Sequence, residues 1–270
     1  MSDDPEPARN ISGGPDGGGA VATFESGAPS TRAEAVVDRL GDLYWQKSYG
    51  GQHAFVSLVR TILSQNTSDS ASQPAHDRLM ERFAADEADL AATLADADRP
   101  DVVEAIRSAG LYNQKTSVIQ RVADHVREEY GSADEFDRYV REEDALDVRD
   151  TLLRLKGVGP KTADCVLLFA GGRQGVFPVD THVHRIYRRL GIASPDADHE
   201  GVREVLEDEV PPEKCGFGHT ASIQFGRDYC TARNPVCLDD ADECPLADLC
   251  DRVGIDPRTG SVVDPAATLE

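Results

Sequence analysis

The sequence predicts an all-α protein of two helical lobes, and three observations lead there. Apolar residues recur at helical spacing in one segment after another. No stretch alternates apolar and polar residues in the way a half-buried strand would. Between polar ends lie about 220 residues, enough to bury two cores. No apolar run reaches membrane-spanning length, and no basic-then-apolar leader opens the chain, so a cytoplasmic protein without a membrane partner is expected.

The elements follow in order. Residues 1–30 are rich in Gly, Pro, Asp and Ser without apolar periodicity, and are expected to be disordered. Across residues 32–49, Val36, Val37, Leu40, Leu43 and Tyr44 recur at helical spacing. Phe55, Leu58, Val59, Ile62 and Leu63 give the stripe of a half-buried helix, and Val118, Ile119, Val122 and Val126 repeat it. Leu152, Leu153 and Leu155 mark a further helix. The apolar run 162–170 reads as a buried helix and ends at Gly171-Gly172, a boundary. Another helical run covers 181–190, and residues 251–270 turn polar again and read as a tail.

The stretch Leu155-Lys156-Gly157-Val158-Gly159-Pro160-Lys161-Thr162-Ala163-Asp164 carries the most chemistry. Gly157 and Gly159 can take positive φ and admit close backbone approach. Pro160 suits the first helical position, where no N–H is needed. The helix start that follows, with its N–H groups and positive dipole end, is an anion site suited to a phosphodiester. Lys161 falls in that first turn, where the dipole disfavours an ammonium, so its pKa is expected to fall and the free amine to become available. The loop alone is equally compatible with a hairpin that only grips DNA. A dinucleotide fingerprint is excluded, because no strand precedes the turn and no G-x-G-x-x-G is present. Asp180 closes a Gly/Pro-punctuated connector before the next helix, a preferred N-cap position. A carboxylate fixed by capping is also oriented, and can stabilise positive charge on a sugar carbon or assist proton transfer.

Four cysteines cluster late in the chain, Cys230, Cys237, Cys244 and Cys250, with spacing C-x6-C-x6-C-x5-C. Zinc sites bring closer pairs, so zinc fits poorly. Disulfides remain open, although nothing points to export. Four thiolates in a loop-rich segment with Pro235 and Pro245 suit a [4Fe–4S] cluster. Cys165 and Cys215 read as packed residues, and His182 and His184, two apart on a helix, do not share a face.

From about residue 33 to 250 these features resemble the endonuclease III branch of the helix-hairpin-helix DNA glycosylases. The resemblance implies that Lys161 is the Schiff-base lysine and Asp180 the essential aspartate. In Leu63-Ser64-Gln65-Asn66-Thr67, Gln65 would enter the gap left by a flipped base. In Gly110-Leu111-Tyr112-Asn113-Gln114-Lys115, Leu111 would wedge into the duplex. Gly157, Gly159 and Thr162 of the hairpin would contact DNA. The four cysteines would hold the family's [4Fe–4S] cluster, in a structural or redox-responsive role. One departure stands out: the family's middle cysteine spacing is usually two residues and here is six, within Leu238-Asp239-Asp240-Ala241-Asp242-Glu243. That acidic loop is expected to bulge outward.

The resemblance also implies the topology. A helical barrel over 54–170 would contain the hairpin at about 150–170, and a cluster lobe would join 31–53 to 171–250. Lys161 and Asp180 would then face each other across the groove between lobes. The implied activity is a bifunctional DNA glycosylase and AP lyase of base excision repair. It would remove oxidised pyrimidines through a lysine imine and cut the strand by β-elimination. Its partner would be double-stranded DNA bearing a damaged base or an abasic site. The alternatives are a monofunctional, mismatch-specific glycosylase of the same superfamily and a non-catalytic DNA-binding or redox-sensing module. Nothing in the sequence points to an oligomer, so a monomer is expected.

Charge runs the other way. The formal net charge is −21, the wrong sign for a polyanion partner, and only five lysines are present. Abundant acid with scarce lysine suggests a cytosol at very high salt, and so a halophile, in which acidic surfaces keep proteins soluble. Over residues 151–191, Arg154, Lys156, Lys161, Arg173, Arg185, Arg188 and Arg189 stand against Asp164 and Asp180, a local balance of +5 that reads as a basic face.

Overall fold

The structure is a computed structural model, and it describes residues 9–11, 28–45, 51–84 and 89–269. Most of the N-terminal segment expected to be disordered lies outside those residues. The helices are α1 (Arg32–Gly41), α2 (Ala54–Ser64), α3 (Asp69–Phe83), α4 (Leu90–Asp96), α5 (Arg99–Ala105), α6 (Tyr112–Tyr130), α7 (Ala133–Glu142), α8 (Ala145–Arg154), α9 (Pro160–Phe169), α10 (Thr181–Arg189), α11 (His199–Glu209) and α12 (Pro212–Asp228). Among the described residues there are also five short 3-10 turns and four two-residue strands: β1 (Arg9–Asn10), β2 (Tyr44–Trp45), β3 (Ile255–Asp256) and β4 (Ser261–Val262). The expected all-α class holds.

The acid-rich composition serves the helix starts. Asp89, Asp144, Asp180 and Asp198 each accept backbone N–H bonds as N-caps, as do Thr31 and Ser132. Each cap is worth about 1 kcal/mol.

The chain divides into two compact units, one of residues 50–173 and the other of 1–49 with 174–270. The first is built around α2. Its Phe55, Leu58, Val59, Ile62 and Leu63 have no exposed surface, and it packs against α3, α6, α7 and α9. Burying side chains of this size contributes about 1.5–3 kcal/mol each. The predicted stripe of α6, Val118 to Val126, faces the same core. Helices α8 and α9 pack as a hairpin at its end.

In the second unit α1 and α10 pack on α12, around Val36, Val37, Leu40, Phe177, Tyr187 and Phe225. Gly218 of α12 has no room for a side chain, since a Cβ there would lie 2.7 Å from the Phe177 ring. Cys215 is packed in this core and burial pushes its thiol up to about 12. Buried Lys214 of α12 donates to Glu34 Oε1 at 2.8 Å and Asp38 Oδ1 at 2.6 Å on α1.

Two local expectations are corrected. The first helix does not run through 32–49: α1 stops at Gly41, capped by Asp42, and the chain turns extended so that Tyr44–Trp45 pairs in parallel with Arg9–Asn10. Glycine at the end of a helix favours that stop. Strands of two residues are too short to show alternation in sequence. The polar segment after Cys250 is folded: β3 and β4 form an antiparallel pair, Val253 N donates to Arg189 O at 3.0 Å, and Asp264 accepts from Arg188. Its polarity hid the fold because it is held by hydrogen bonds and charge more than by apolar burial.

Candidate active site

The hairpin between α8 and α9 is shaped by its glycines. Gly157 has φ +103°, and a Cβ there would lie 2.6 Å from Val118 of α6, so only glycine fits. Gly159 is the N-cap of α9, in extended conformation, with no side-chain cap and open space where a Cβ would stand. Pro160 fills the first helical position and half-buried Lys161 the next. The two helices are clamped by Arg149 Nε of α8 on Asp164 Oδ1 of α9 at 2.6 Å, both largely buried. This is an amino-terminal helix end presented by a rigid turn, the arrangement that favours an anion.

Gln65, the C-cap of α2, reaches the same turn. Its Nε2 donates to Thr162 Oγ1 at 3.0 Å and to Gly157 O at 3.2 Å. Gln65, Gly157, Gly159, Lys161 and Thr162 therefore belong to one constellation. Leu111 stands on a neighbouring loop, 57% exposed and in the left-handed region at φ +46°. A large apolar side chain held out in that way makes a ready wedge. Its loop is tied to the Gln65 loop by Thr67 Oγ1, which donates to Ala109 O at 2.5 Å.

Lys115 was not singled out in the sequence, and it lies at the centre of this arrangement. It is 3% exposed, and its Nζ donates to Thr67 Oγ1 at 2.6 Å, Leu63 O at 2.7 Å and Ala109 O at 2.8 Å. Burial lowers its pKa to about 8. A signal did exist, because Lys115 falls on the apolar stripe of α6, three and four residues before Val118 and Ile119.

Asp180 belongs to the other unit, as the N-cap of α10. Its Oδ1 accepts from His182 N at 2.8 Å and Val183 N at 2.9 Å, so the carboxylate is locked to the helix start.

The four cysteines lie in loops of that unit. Cys230 follows the end of α12, Cys237 sits in a single helical turn, and Cys244 and Cys250 each end such a turn. All four line one cavity whose other walls include Ile186, Leu190, Phe225, Leu246 and Ile255. Burial raises the thiols of Cys237, Cys244 and Cys250, the last to about 12. Four cysteines that line one cavity together with apolar side chains supply the thiolates that a group such as [4Fe–4S] takes. Donors toward sulfur are in place: Arg252 N lies 3.3 Å from Cys250 Sγ and Arg189 Nη1 3.5 Å from Cys230 Sγ. In the long middle spacer Asp239, Asp240, Asp242 and Glu243 are all exposed.

The basic face is reduced from its expected extent. Arg188 and Arg189 are 4% and 3% exposed, and their guanidiniums hold Pro195 O with Asp264, and Thr231 O with Ala232 O. Arg185 donates to Cys230 O and Arg173 to Val140 O. These arginines satisfy loop carbonyls, while Arg154 and Lys156 beside the hairpin are exposed. His184 stacks on His199 at 4.1 Å. No helix among the described residues is long and apolar enough to cross a membrane.

Comparison with known proteins agrees with this geometry. Residues 59–212 match the HhH-GPD superfamily of base excision DNA repair proteins, and residues 230–250 match the iron–sulfur binding domain of endonuclease III. The chain is 32% identical to endonuclease III of Sulfolobus acidocaldarius, over 74% of its own length and 82% of the relative's. It is 32% identical to the Bacillus subtilis endonuclease III, over 80% of its length and 90% of that protein's. Among solved structures, a trapped endonuclease III–DNA covalent intermediate superposes with TM-score 0.62 at 28% identity, covering 76% of this chain and 86% of the other. A thermostable thymine-DNA glycosylase, 19% identical, shares the fold with TM-score 0.63 over 82% and 96% of the two chains.

Proposed function

The chain belongs to the HhH-GPD superfamily of base excision DNA repair proteins, and on that footing we propose that it is a bifunctional glycosylase and AP lyase acting on oxidised pyrimidines in double-stranded DNA. That it is a DNA glycosylase with an iron–sulfur domain follows from the family and its endonuclease III relatives. The lyase chemistry rests on one observation above all: Lys161 stands in the first turn of α9, directly behind an uncapped glycine turn.

The reading runs from those residues. The uncapped start of α9, with Gly157, Gly159 and Thr162, takes the phosphodiester backbone. The target nucleotide leaves the stack, since its glycosidic carbon is otherwise out of reach. Leu111 fills the duplex as a wedge and Gln65 enters the vacated gap. The Lys161 amine forms a bond to C1′ while the glycosidic C–N bond breaks and the base departs with the electron pair. Asp180 stabilises positive charge on the sugar and relays protons. Loss of the amine proton and opening of the C1′–O4′ bond give the imine. The imine acidifies C2′–H, and its removal expels the 3′ phosphate. Cys230, Cys237, Cys244 and Cys250 would hold the cluster, which ties the loops of its lobe together when bound.

Borohydride trapping tests the reading, on duplexes with an oxidised thymine or an abasic site, in molar KCl. A covalent adduct is expected with the wild type and none with Lys161→Ala. Base release without any adduct would make the enzyme monofunctional, with Asp180 as the principal catalyst.

A further inference from the structure

We propose that Lys115 is a positioning residue for base extrusion: its buried ammonium fixes in one geometry the two loops that carry Gln65 and Leu111. The proposal rests on the functional reading above, in which those two side chains enter the duplex.

Three observations carry it. The ammonium has three donors and spends one on each side of the problem: Leu63 O at the end of α2, Thr67 Oγ1 just after Gln65, and Ala109 O just before Leu111. All three acceptors are uncharged, so among the described residues the site holds a buried cation with no carboxylate bonded to it. For stability alone an apolar side chain would serve a core position better, since a buried charge is costly to desolvate. The third observation is backbone strain. Only three described residues other than glycine have positive φ, Asn66, Leu111 and Arg252, and the first two flank the acceptors of Lys115. Such conformations are strained for residues other than glycine and persist where surrounding bonds impose them. Lys115 and Thr67 supply those bonds, so both loops stay strained, paired and exposed at their tips.

The charge on Lys115 is also tunable. Burial alone lowers its pKa to about 8. Charged groups on the elements packed around it are engaged elsewhere. Arg60 of α2 bonds Gln73, and Arg78 of α3 bonds Ala105 O and Ser108. Arg82 of α3 takes Asp101 and Glu104 of the α5 segment, and Arg99 there bonds Asn113 O. Asp96 of α4 pairs with Arg127, and Arg107 lies over the Tyr112 ring. A neutral amine would donate two bonds rather than three, and one loop would loosen.

The experiment uses duplex DNA with an abasic-site analogue opposite 2-aminopurine, whose fluorescence reports unstacking by inserted side chains. Lys115→Met, checked for folding by its thermal melt, is expected to lose about tenfold or more of the unstacking affinity. Imine trapping on a single-stranded abasic site, which needs no insertion, is expected to fall less than about threefold. In the wild type the unstacking signal should decline through about pH 8, and in Lys115→Arg it should persist to higher pH. A folded Lys115→Met with undiminished unstacking overturns the proposal. If that variant does not fold, the wild-type titration decides: a signal that is flat from about pH 7 to 9.5 overturns it, and one that declines supports it. A wild type that unstacks DNA yet neither releases a base nor forms an adduct would sink the functional reading instead, and leave the role of Lys115 measurable.

Discussion

At the residue scale, Asp180 is a helix cap and, in the proposed mechanism, also a catalytic charge, and one substitution separates the two. Asparagine caps helices as well as aspartate does, so Asp180→Asn should keep the bonds to His182 N and Val183 N and the thermal stability. It removes the negative charge, and single-turnover base release should fall about 10²- to 10⁴-fold. Undiminished base release in Asp180→Asn, with a lowered melting temperature only in Asp180→Ala, would reduce the residue to a cap. As a cap, Asp180 was legible in the sequence, because aspartate before a helical run is a preferred N-cap. Lys115 left only its place on an apolar stripe as a trace, because a lysine in an amphipathic helix otherwise reads as solvated, and its burial depends on carbonyls contributed by chain 52 and 6 residues away. Arg188 and Arg189 misled in the same way. Charge counted along the chain says nothing about which guanidiniums fold inward onto loop carbonyls.

At the element scale, helices were legible wherever one stripe faced one core, as in α2 and α6. Short pairings such as β1 with β2 left no periodic trace. The C-terminal hairpin was the largest omission, and it touches the cluster site: Ile255 lines the cysteine cavity, and Arg252 N points at Cys250 Sγ. Removing residues 254–270 should therefore hasten loss of the cluster's visible absorption under ferricyanide, at unchanged iron content after reconstitution. Equal bleaching rates for the shortened and full chains would show that the hairpin gives the cysteine loops no shelter.

At the scale of the whole molecule, acid stability should be set partly by the Lys214–Glu34–Asp38 contact. The bond from Lys214 and the backbone N–H of Ser30 hold Glu34 well below its ordinary 4.5, at about 2. The stability it adds is full above about pH 4.5 and is lost as pH falls toward 2. Chemical denaturation between those limits should weaken in the wild type more steeply than in Glu34→Gln, which has lost that titration at some cost in stability at neutral pH. Parallel curves would mean that the carboxylate is unperturbed.

The same contact joins residues 180 positions apart in sequence, across an entire intervening unit. At translation rates of about 5–20 residues per second, α1 waits on the order of 10–40 s for α12 to be made. During that interval residues 50–173 can already have folded, and Val36, Val37 and Leu40 remain uncovered at the ribosome. The cysteines are made later still, so α12 is available to cover α1 before the cluster can be assembled, and the earliest described helix needs shelter during synthesis itself, whatever the supply of iron.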